Sequence, residues 1–292
     1  IEFKYNRAGQ RKEMKDQNGT VHAYDYDKLG RKTHDRVTTV GTDIDNAVLR
    51  LSRTYEVRGL LEKATSYDNA TVGSGNVVNE VLREYNDLAM LEKEYQEHEG
   101  AKDGSTLYVG YNYDESNSGG EFTKGLRPTS MRYPNGRLIH YTYGSAASDA
   151  DNLNRLNAIK DDNAGSPGNT ISSYAYIGRS MIVIEDYEEP DVRLYYHGGT
   201  SGMYAGFDRF DRVVDQRWYD YGSSADVDRY KYGYDRASNR LWRENTVSKA
   251  LGAPVYLDEY YTYDGLNRLK TFDRGQLNGT NTGITGTTSA EE

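Results

Sequence analysis

Five histidines, His22, His34, His98, His140 and His197, and several carboxylate pairs are the side chains here whose types could do chemistry. Histidine would serve as a general base or metal ligand, and paired carboxylates as acid and base or as a calcium cage. The spacing supports none of these. No two histidines stand at a metal-ligand interval, and no phosphate loop, dinucleotide fingerprint or nucleophile elbow occurs. Gly198-Gly199-Thr200-Ser201-Gly202 lacks the G-x-S-x-G order and reads as a flexible loop. A calcium loop needs oxygen donors at fixed positions and glycine at the sixth. The run Asp149-Ala150-Asp151-Asn152-Leu153-Asn154 breaks that rule at Leu153 and Asn154, and reads instead as a solvated acidic loop. Asp43 with Asp45, and Glu185-Asp186 with Glu188-Glu189, are further carboxylate clusters without the spacing. The expectation is a chain with no catalytic residue, no cofactor and no metal, and so not an enzyme.

What does recur is Tyr-x-Tyr-Asp-x-x-Asn/Gly-Arg. It stands as Tyr24-Asp25-Tyr26-Asp27-Lys28-Leu29-Gly30-Arg31 and returns as Tyr261-Thr262-Tyr263-Asp264-Gly265-Leu266-Asn267-Arg268. A third copy, Tyr232-Gly233-Tyr234-Asp235-Arg236-Ala237-Ser238-Asn239-Arg240, reads with one extra residue before Asn239. Weaker copies anchored on Tyr5, Tyr55, Tyr85, Tyr113, Tyr143, Tyr176 and Phe207 fill the gaps, at steps of about 21 and then about 27 to 33 residues. A near-constant period of this length marks a stack of identical supersecondary units. It also argues against an enzyme, since no single copy carries a unique reactive set.

The unit dictates a hairpin. Tyrosines two apart share one face of a strand. Asp27 suits the first position of a type I turn, accepting the N–H two residues on. Gly30, Asn239 or Asn267 then supplies the left-handed residue that closes a short loop. Arg31, Arg240 and Arg268 sit beside the turn, where they can pair with aspartate or stack on tyrosine. Longer polar stretches follow each return strand: Val40 to Ala47, Asp68 to Asn79, Gln96 to Ser105, Asp161 to Thr170, Asn245 to Pro254 and Gly275 to Thr288. Stacking such units gathers tight turns on one rim and variable loops on the other, and recognition belongs on the loops. The tyrosines could stack on sugar rings or hold the sheet together by cross-strand pairing. Because they belong to the repeat, the second role fits better.

Composition agrees. Leu, Ile, Val and Phe make up less than a fifth of the 292 residues, too little for a thick core, while 28 tyrosines supply strand-forming rings. The net charge of −9, with basic residues interleaved among acids, opposes nucleic acid. No apolar run is long enough to insert in a membrane. There is no cysteine, hence no disulfide. Three sequons, at Asn18, Asn69 and Asn278, matter only in a glycosylating host.

The three sharp copies resemble the YD repeat, also called the Rhs (rearrangement hotspot) repeat, from Tyr5 to about Arg274. Relatives in that family are Rhs polymorphic toxins, cocoon subunits of insecticidal toxin complexes and the teneurin shells. The resemblance implies a long β-sheet strip that spirals into a hollow shell around a toxin or a segment of its own chain. It implies an all-β, YD-shell-like solenoid of stacked β-hairpins, a secreted or cell-surface bacterial protein, and a structural, non-enzymatic role in a shell or scaffold. Partners would be other segments of a longer chain or an encapsulated C-terminal domain. Two other readings stand: an adhesion or carbohydrate-binding module that meets surface glycans or proteins through the loop rim, and the wall of a toxin cage. The Rhs core ends in an Asp-Pro motif tied to self-cleavage. This chain has no Asp-Pro, so no catalytic aspartate carries over. The absence of cysteine argues against a teneurin-like ectodomain. Open sheet edges would invite aggregation, so the expectation is a piece of a longer array. Its hairpins fill residues 1–274, and residues 275–292 form a Gly/Thr/Asn-rich loop or tail.

Overall fold

The computed structural model describes residues 1–114, 127–196 and 206–286. The chain divides into two compact units, Ile1–Ile139 and His140–Glu292. The first contains β1 (Glu2–Tyr5), β2 (Arg11–Lys15), β3 (Val21–Tyr26), β4 (Lys32–Thr39), β5 (Arg50–Tyr55), β6 (Leu61–Tyr67), β7 (Val77–Tyr85), β8 (Leu91–Glu97), β9 (Tyr108–Tyr113) and β10 (Pro128–Arg132). Each of these strands pairs antiparallel with the next in sequence.

The unit boundary falls within β11 (Leu138–Thr142). The second unit continues with β12 (Ala158–Asn163), β13 (Ser166–Ile177), β14 (Met181–Tyr187), β15 (Val192–Tyr195), β16 (Asp215–Asp220), β17 (Ala225–Tyr234), β18 (Arg240–Asn245), β19 (Asp258–Tyr263), β20 (Leu269–Leu277) and β21 (Ile284–Gly286). From β12 onward these too pair antiparallel in chain order. Helix among the described residues is one turn, α1 (Asp149–Asn152), and a 3-10 turn at Ser248–Ala250. The fold is all-β, a meander of stacked hairpins in each unit.

Among the described residues neither unit has a thick apolar core. The buried hydrophobic residues are Tyr24 and Ile139 in the first, and Ala158, Val183, Leu194, Tyr261 and Leu277 in the second, outnumbered by buried polar ones. Cations lie over rings instead. The ammonium of Lys32 is 4.1 Å from the centroid of Tyr24, and the guanidinium of Arg217 is 4.4 Å from that of Tyr219. At roughly 0.5–1 kcal/mol each where exposed, such contacts matter by being repeated.

One segment expected to be a loop is largely strand, and a second is so at its end. Asp161 to Asn163 ends β12 and Ser166 to Thr170 begins β13, so only Ala164-Gly165 separates the strands. Both residues have positive φ, which lets a two-residue connection reverse the chain in step with the strand twist. Val77 to Asn79, similarly, belongs to β7. At the C-terminal side β20 runs past position 274 to the buried Leu277 and pairs with β21.

Candidate functional site

The site that recurs is the tight turn. The N–H of Asp27 donates to the carbonyl of Arg31 at 3.0 Å, and the N–H of Gly30 to the carbonyl of Asp27 at 3.1 Å. One carboxylate oxygen of Asp27 accepts from the N–H groups of Leu29 and Arg31, both at 2.9 Å, and the other accepts from Arg31 Nε at 2.7 Å. With Gly30 at φ +81° this is a type I turn closed by a left-handed residue. Asp264 repeats every bond, with Asn267 at φ +60°. Asp208 repeats them with Asp211 at φ +60°. Asn6 and Asn86 make the same two side-chain-to-backbone bonds with an amide oxygen.

The third sharp copy corrects the sequence alignment. The left-handed residue is Ser238, at φ +69°, and Asn239 is not among the positive-φ residues. There is no extra residue: Ser238 stands where Gly30 stands, and Asn239 where Arg31 stands. Asn239 Nδ2 donates to Asp235 Oδ2 at 2.8 Å, reproducing the arginine's bond. Arg240 is therefore not equivalent to Arg31 and Arg268. It begins the return strand, as Lys32 and Leu269 do. The error arose because asparagine favours left-handed backbone but also serves as a side-chain donor.

The turns that follow Tyr26 and Tyr263 carry the same one-residue slip. Tyr26 pairs with Lys32 but Asp25 with His34; Tyr263 pairs with Leu269 but Thr262 with Thr271. Tyr5, Tyr55, Tyr85 and Tyr234 show it too. The bulge lies on the return strand, and bulges of this kind sharpen local twist.

The second tyrosine of the unit reaches backward to the preceding hairpin. Tyr26 Oη donates to the carbonyl of Arg11 at 2.7 Å, Tyr55 to Lys32 at 3.0 Å, Tyr85 to Leu61 at 2.8 Å and Tyr113 to Leu91 at 2.9 Å. In the second unit Tyr176 donates to Leu156 at 2.7 Å, Tyr234 to Val213 at 2.9 Å and Tyr263 to Arg240 at 2.9 Å. A strand-end carbonyl beside a bulge lacks a ladder partner, and the phenol supplies one. Burial pushes the phenols of Tyr113, Tyr176 and Tyr234 above the usual tyrosine range, so they stay donors.

The turn cation reaches forward. The Arg31 guanidinium lies 4.2 Å from the ring centroid of Tyr55, and that of Arg212 lies 4.7 Å from Tyr234. Arg212 Nη1 also donates to the carbonyl of Asp235 at 2.8 Å, and Asn239 Nδ2 to Asn267 Oδ1 at 2.9 Å. The turn aspartates are held ionised. For Asp264 the Arg268 N–H dominates, then that of Leu266; for Asp208 and Asp235 the side chains of Arg212 and Asn239 lead. All three carboxyls lie below the usual range.

The first tyrosine of the unit shares no common partner. Tyr24 is buried against Met14, its hydroxyl 4.0 Å from the thioether sulfur. Tyr232 donates to Gln216 Oε1 at 3.2 Å. Tyr261 donates to Glu259, and its ring takes the Arg240 guanidinium at 5.0 Å. These rings meet side chains of the preceding strand, Met14, Gln216 and Arg240, whereas the hydroxyl that bonds a backbone carbonyl of the preceding hairpin is that of the second tyrosine.

The loop rim is tied down by its own residues. Buried Arg50 donates to the carbonyls of Asn69 at 2.7 Å, Thr71, and Ser74 at 3.0 Å, while stacking at 3.9 Å on Tyr67. Asp258, fully buried, accepts from the N–H of Asn245 at 2.9 Å and of Leu277 at 3.1 Å. Neither residue carries a sequence signal, because their partners are backbone groups that every residue possesses.

The remaining candidates have local partners. His22 meets Asp35 at 2.7 Å, His34 meets Ser52 Oγ at 3.0 Å and His140 meets Asp162 at 2.8 Å. Asp151 is buried in α1 and accepts from the N–H of Ala147 at 2.8 Å, so that end of the acidic run is not solvated. The turn at Ser148–Asn152 folds back on itself and takes the carboxylate inward. His197 and Gly198 to Gly202 lie outside the described residues. Among the described residues no group of three or more His, Asp or Glu could hold a metal, and no helix is long and apolar enough to cross a membrane.

Together these features define an antiparallel β-hairpin repeat protein in which each turn is latched to its neighbours. No protein-family model matches the chain, and no curated protein sequence does. Among solved structures it is similar to a Photorhabdus luminescens Tc holotoxin pore, with TM-score 0.51 and 14% identity over 91% of this chain and 13% of that one. It is similar to TcdB2-TccC3, with TM-score 0.50 and 12% identity over 91% of this chain and 14% of that one. TcdB2-TccC3 without its hypervariable C-terminal region gives TM-score 0.51 and 13% identity, again over 91% of this chain and 13% of that one. The fold implied by the tyrosine–aspartate repeats is thus the fold shared with these toxin-complex proteins.

Proposed function

We propose that this chain is a structural, non-catalytic length of β-hairpin wall in a secreted or surface-exposed bacterial YD-repeat protein. The observation that carries this reading is the tyrosine latch. Seven phenols each bond the backbone of the preceding hairpin, so the recurring side chains maintain continuity between repeats rather than converge on a substrate. Likeness to Tc toxin structures favours the wall of an enclosing cage over an open scaffold, with a distal segment of the same longer chain as the enclosed partner. Limited proteolysis of the longer polypeptide tests it. A cage wall protects the distal segment until the hairpin array is breached. Digestion of that segment at the rate of a free peptide would refute enclosure.

The adhesion reading retains one supporting feature. A cleft of about 380 Å³ opens beside the Gln96–Ser105 connection, lined by Glu94, Gln96, His98, Thr106, Leu107 and Pro134. A glycan-array screen decides it, and binding that survives Gln96→Ala with His98→Ala would place any sugar elsewhere.

A further inference from the structure

At two adjacent tight turns folding consumes the first-position carboxylates and leaves two arginines exposed, with Asp211 exposed beside them. At the adjacent turns Asp208–Arg212 and Asp235–Asn239, Asp208 is bound by Arg212 Nε at 2.7 Å, and Asp235 by Asn239 Nδ2 at 2.8 Å. Arg209 and Arg236, the second residues of these turns, are exposed and make no hydrogen bond or ion pair among the described residues. Between them Phe210 stands 61% exposed, with Arg209 at 4.8 Å and Arg212 at 5.2 Å from its centroid. A groove of about 660 Å³ runs between the turns, floored by Tyr234. Arg212 spans it to the carbonyl of Asp235 at 2.8 Å, which fixes the two turns relative to each other.

We propose that this groove docks an acidic, extended peptide segment of a partner protein. Consecutive turns on one rim are two strands apart, about 10 Å, and carboxylates four residues apart share one face of an extended chain at about 13 Å, within reach of two arginine side chains. A segment with carboxylates at that separation around one apolar side chain would pair with Arg209 and Arg236 and lay its apolar group on Phe210. Arginine holds carboxylates bidentately, and exposed aromatic–arginine clusters mark contact surfaces. Charge selects the occupant. The groove lining sets Arg209, Arg212 and Arg236 against Asp208 and Asp235, both already bound, on a chain of net charge −9, so a long polyanion is repelled by the surroundings while a short acidic segment meets the two exposed arginines. This site goes beyond the wall reading and stands on the opposite rim from the variable loops.

The test is fluorescence anisotropy with a labelled peptide, acetyl-Gly-Glu-Ser-Leu-Ser-Glu-Gly-amide, whose glutamates and leucine share one face when extended, at about 50 mM salt, where charge contacts are weakly screened. Saturable binding is expected, at least about tenfold weaker for the peptide with glutamine in place of both glutamates and for the Arg209→Glu, Arg236→Glu variant. Phe210→Ser should also weaken it. Arg7→Glu with Lys28→Glu makes the same charge change at two exposed turns whose third residues, Ala8 and Leu29, carry no ring, and should leave affinity within about twofold. Equal loss in that control would mean general charge attraction and overturn the proposal. So would equal binding of the glutamine peptide, or tighter binding of a single-stranded oligonucleotide. Circular dichroism of each variant separates lost binding from lost folding.

Discussion

The hydroxyl of Tyr85 donates to the carbonyl of Leu61, the first residue of the return strand in the preceding hairpin, at 2.8 Å. The same bond joins Tyr55 to Lys32 and Tyr263 to Arg240. It turns a row of hairpins, each marginal alone, into a cooperative array.

Replacing Tyr85 by phenylalanine keeps the ring and removes the donor. The expected cost is about 1 kcal/mol, read as a lower urea midpoint at unchanged m-value. A midpoint equal to wild type would show that water satisfies Leu61 equally well.

Ala89 and Ser238 hold left-handed backbone, at φ +65° and +69°. Glycine relieves that strain, so Ala89→Gly and Ser238→Gly should each stabilise by up to about 1 kcal/mol in thermal melts. Valine at either position should destabilise by at least as much.

Gly233 lies under Trp242: a Cβ added there would come within 2.0 Å of the indole Nε1. Gly233→Ala should therefore cost about 1–3 kcal/mol through displacement of the indole, with a shift in tryptophan emission. Adding Trp242→Val should recover part of the loss. If the single variant melts like wild type, the indole is not packed as described.

The pH profile follows from the turn aspartates and from Tyr261. A carboxyl with depressed folded pKa, such as Asp264, contributes stability that is present above its unfolded value of 3.8 and lost as pH falls through the lower folded value. Asp264→Asn should fold, since Asn6 and Asn86 make the same backbone bonds, and should flatten part of the acid limb. Burial, then Glu259, pushes Tyr261 up to about 12 from 10.0. Its contribution is intact below 10.0 and fades as pH climbs toward about 12. Comparison with Tyr261→Phe checks this: an alkaline loss of stability identical in the two proteins would contradict it.

Arg50 bridges the carbonyls of Asn69, Thr71 and Ser74, so Arg50→Ala should release that connection without dissolving the hairpin. Faster amide exchange confined to the connection, with β5 and β6 still protected, is the expected pattern. Global loss of protection would make Arg50 a determinant of the sheet.

The hairpin unit was legible because its causes are local. Aspartate accepts N–H groups two and four residues on, and glycine or asparagine closes the turn, all within five positions. The same locality explains the misplacement of Asn239, where one residue type suits two adjacent roles and Ser238 took the strained one. The partners of His22 and His140, Asp35 and Asp162, lie 13 and 22 residues away and were not legible, and the run at Asp149 read as solvated buries Asp151 against the N–H of Ala147.

By itself, then, the sequence determined an all-β repeat of tyrosine-rich hairpins and the chemistry of each turn. Tertiary structure alone decided which tyrosine reaches backward to a carbonyl, which arginine reaches forward, how Arg50 and Asp258 hold the loop rim, and that Arg209 and Arg236 stand exposed on adjacent turns. The reason is that those partners are backbone carbonyls and N–H groups in neighbouring strands, many residues away. They bear no side-chain signature and become neighbours only once the register of the sheet is set.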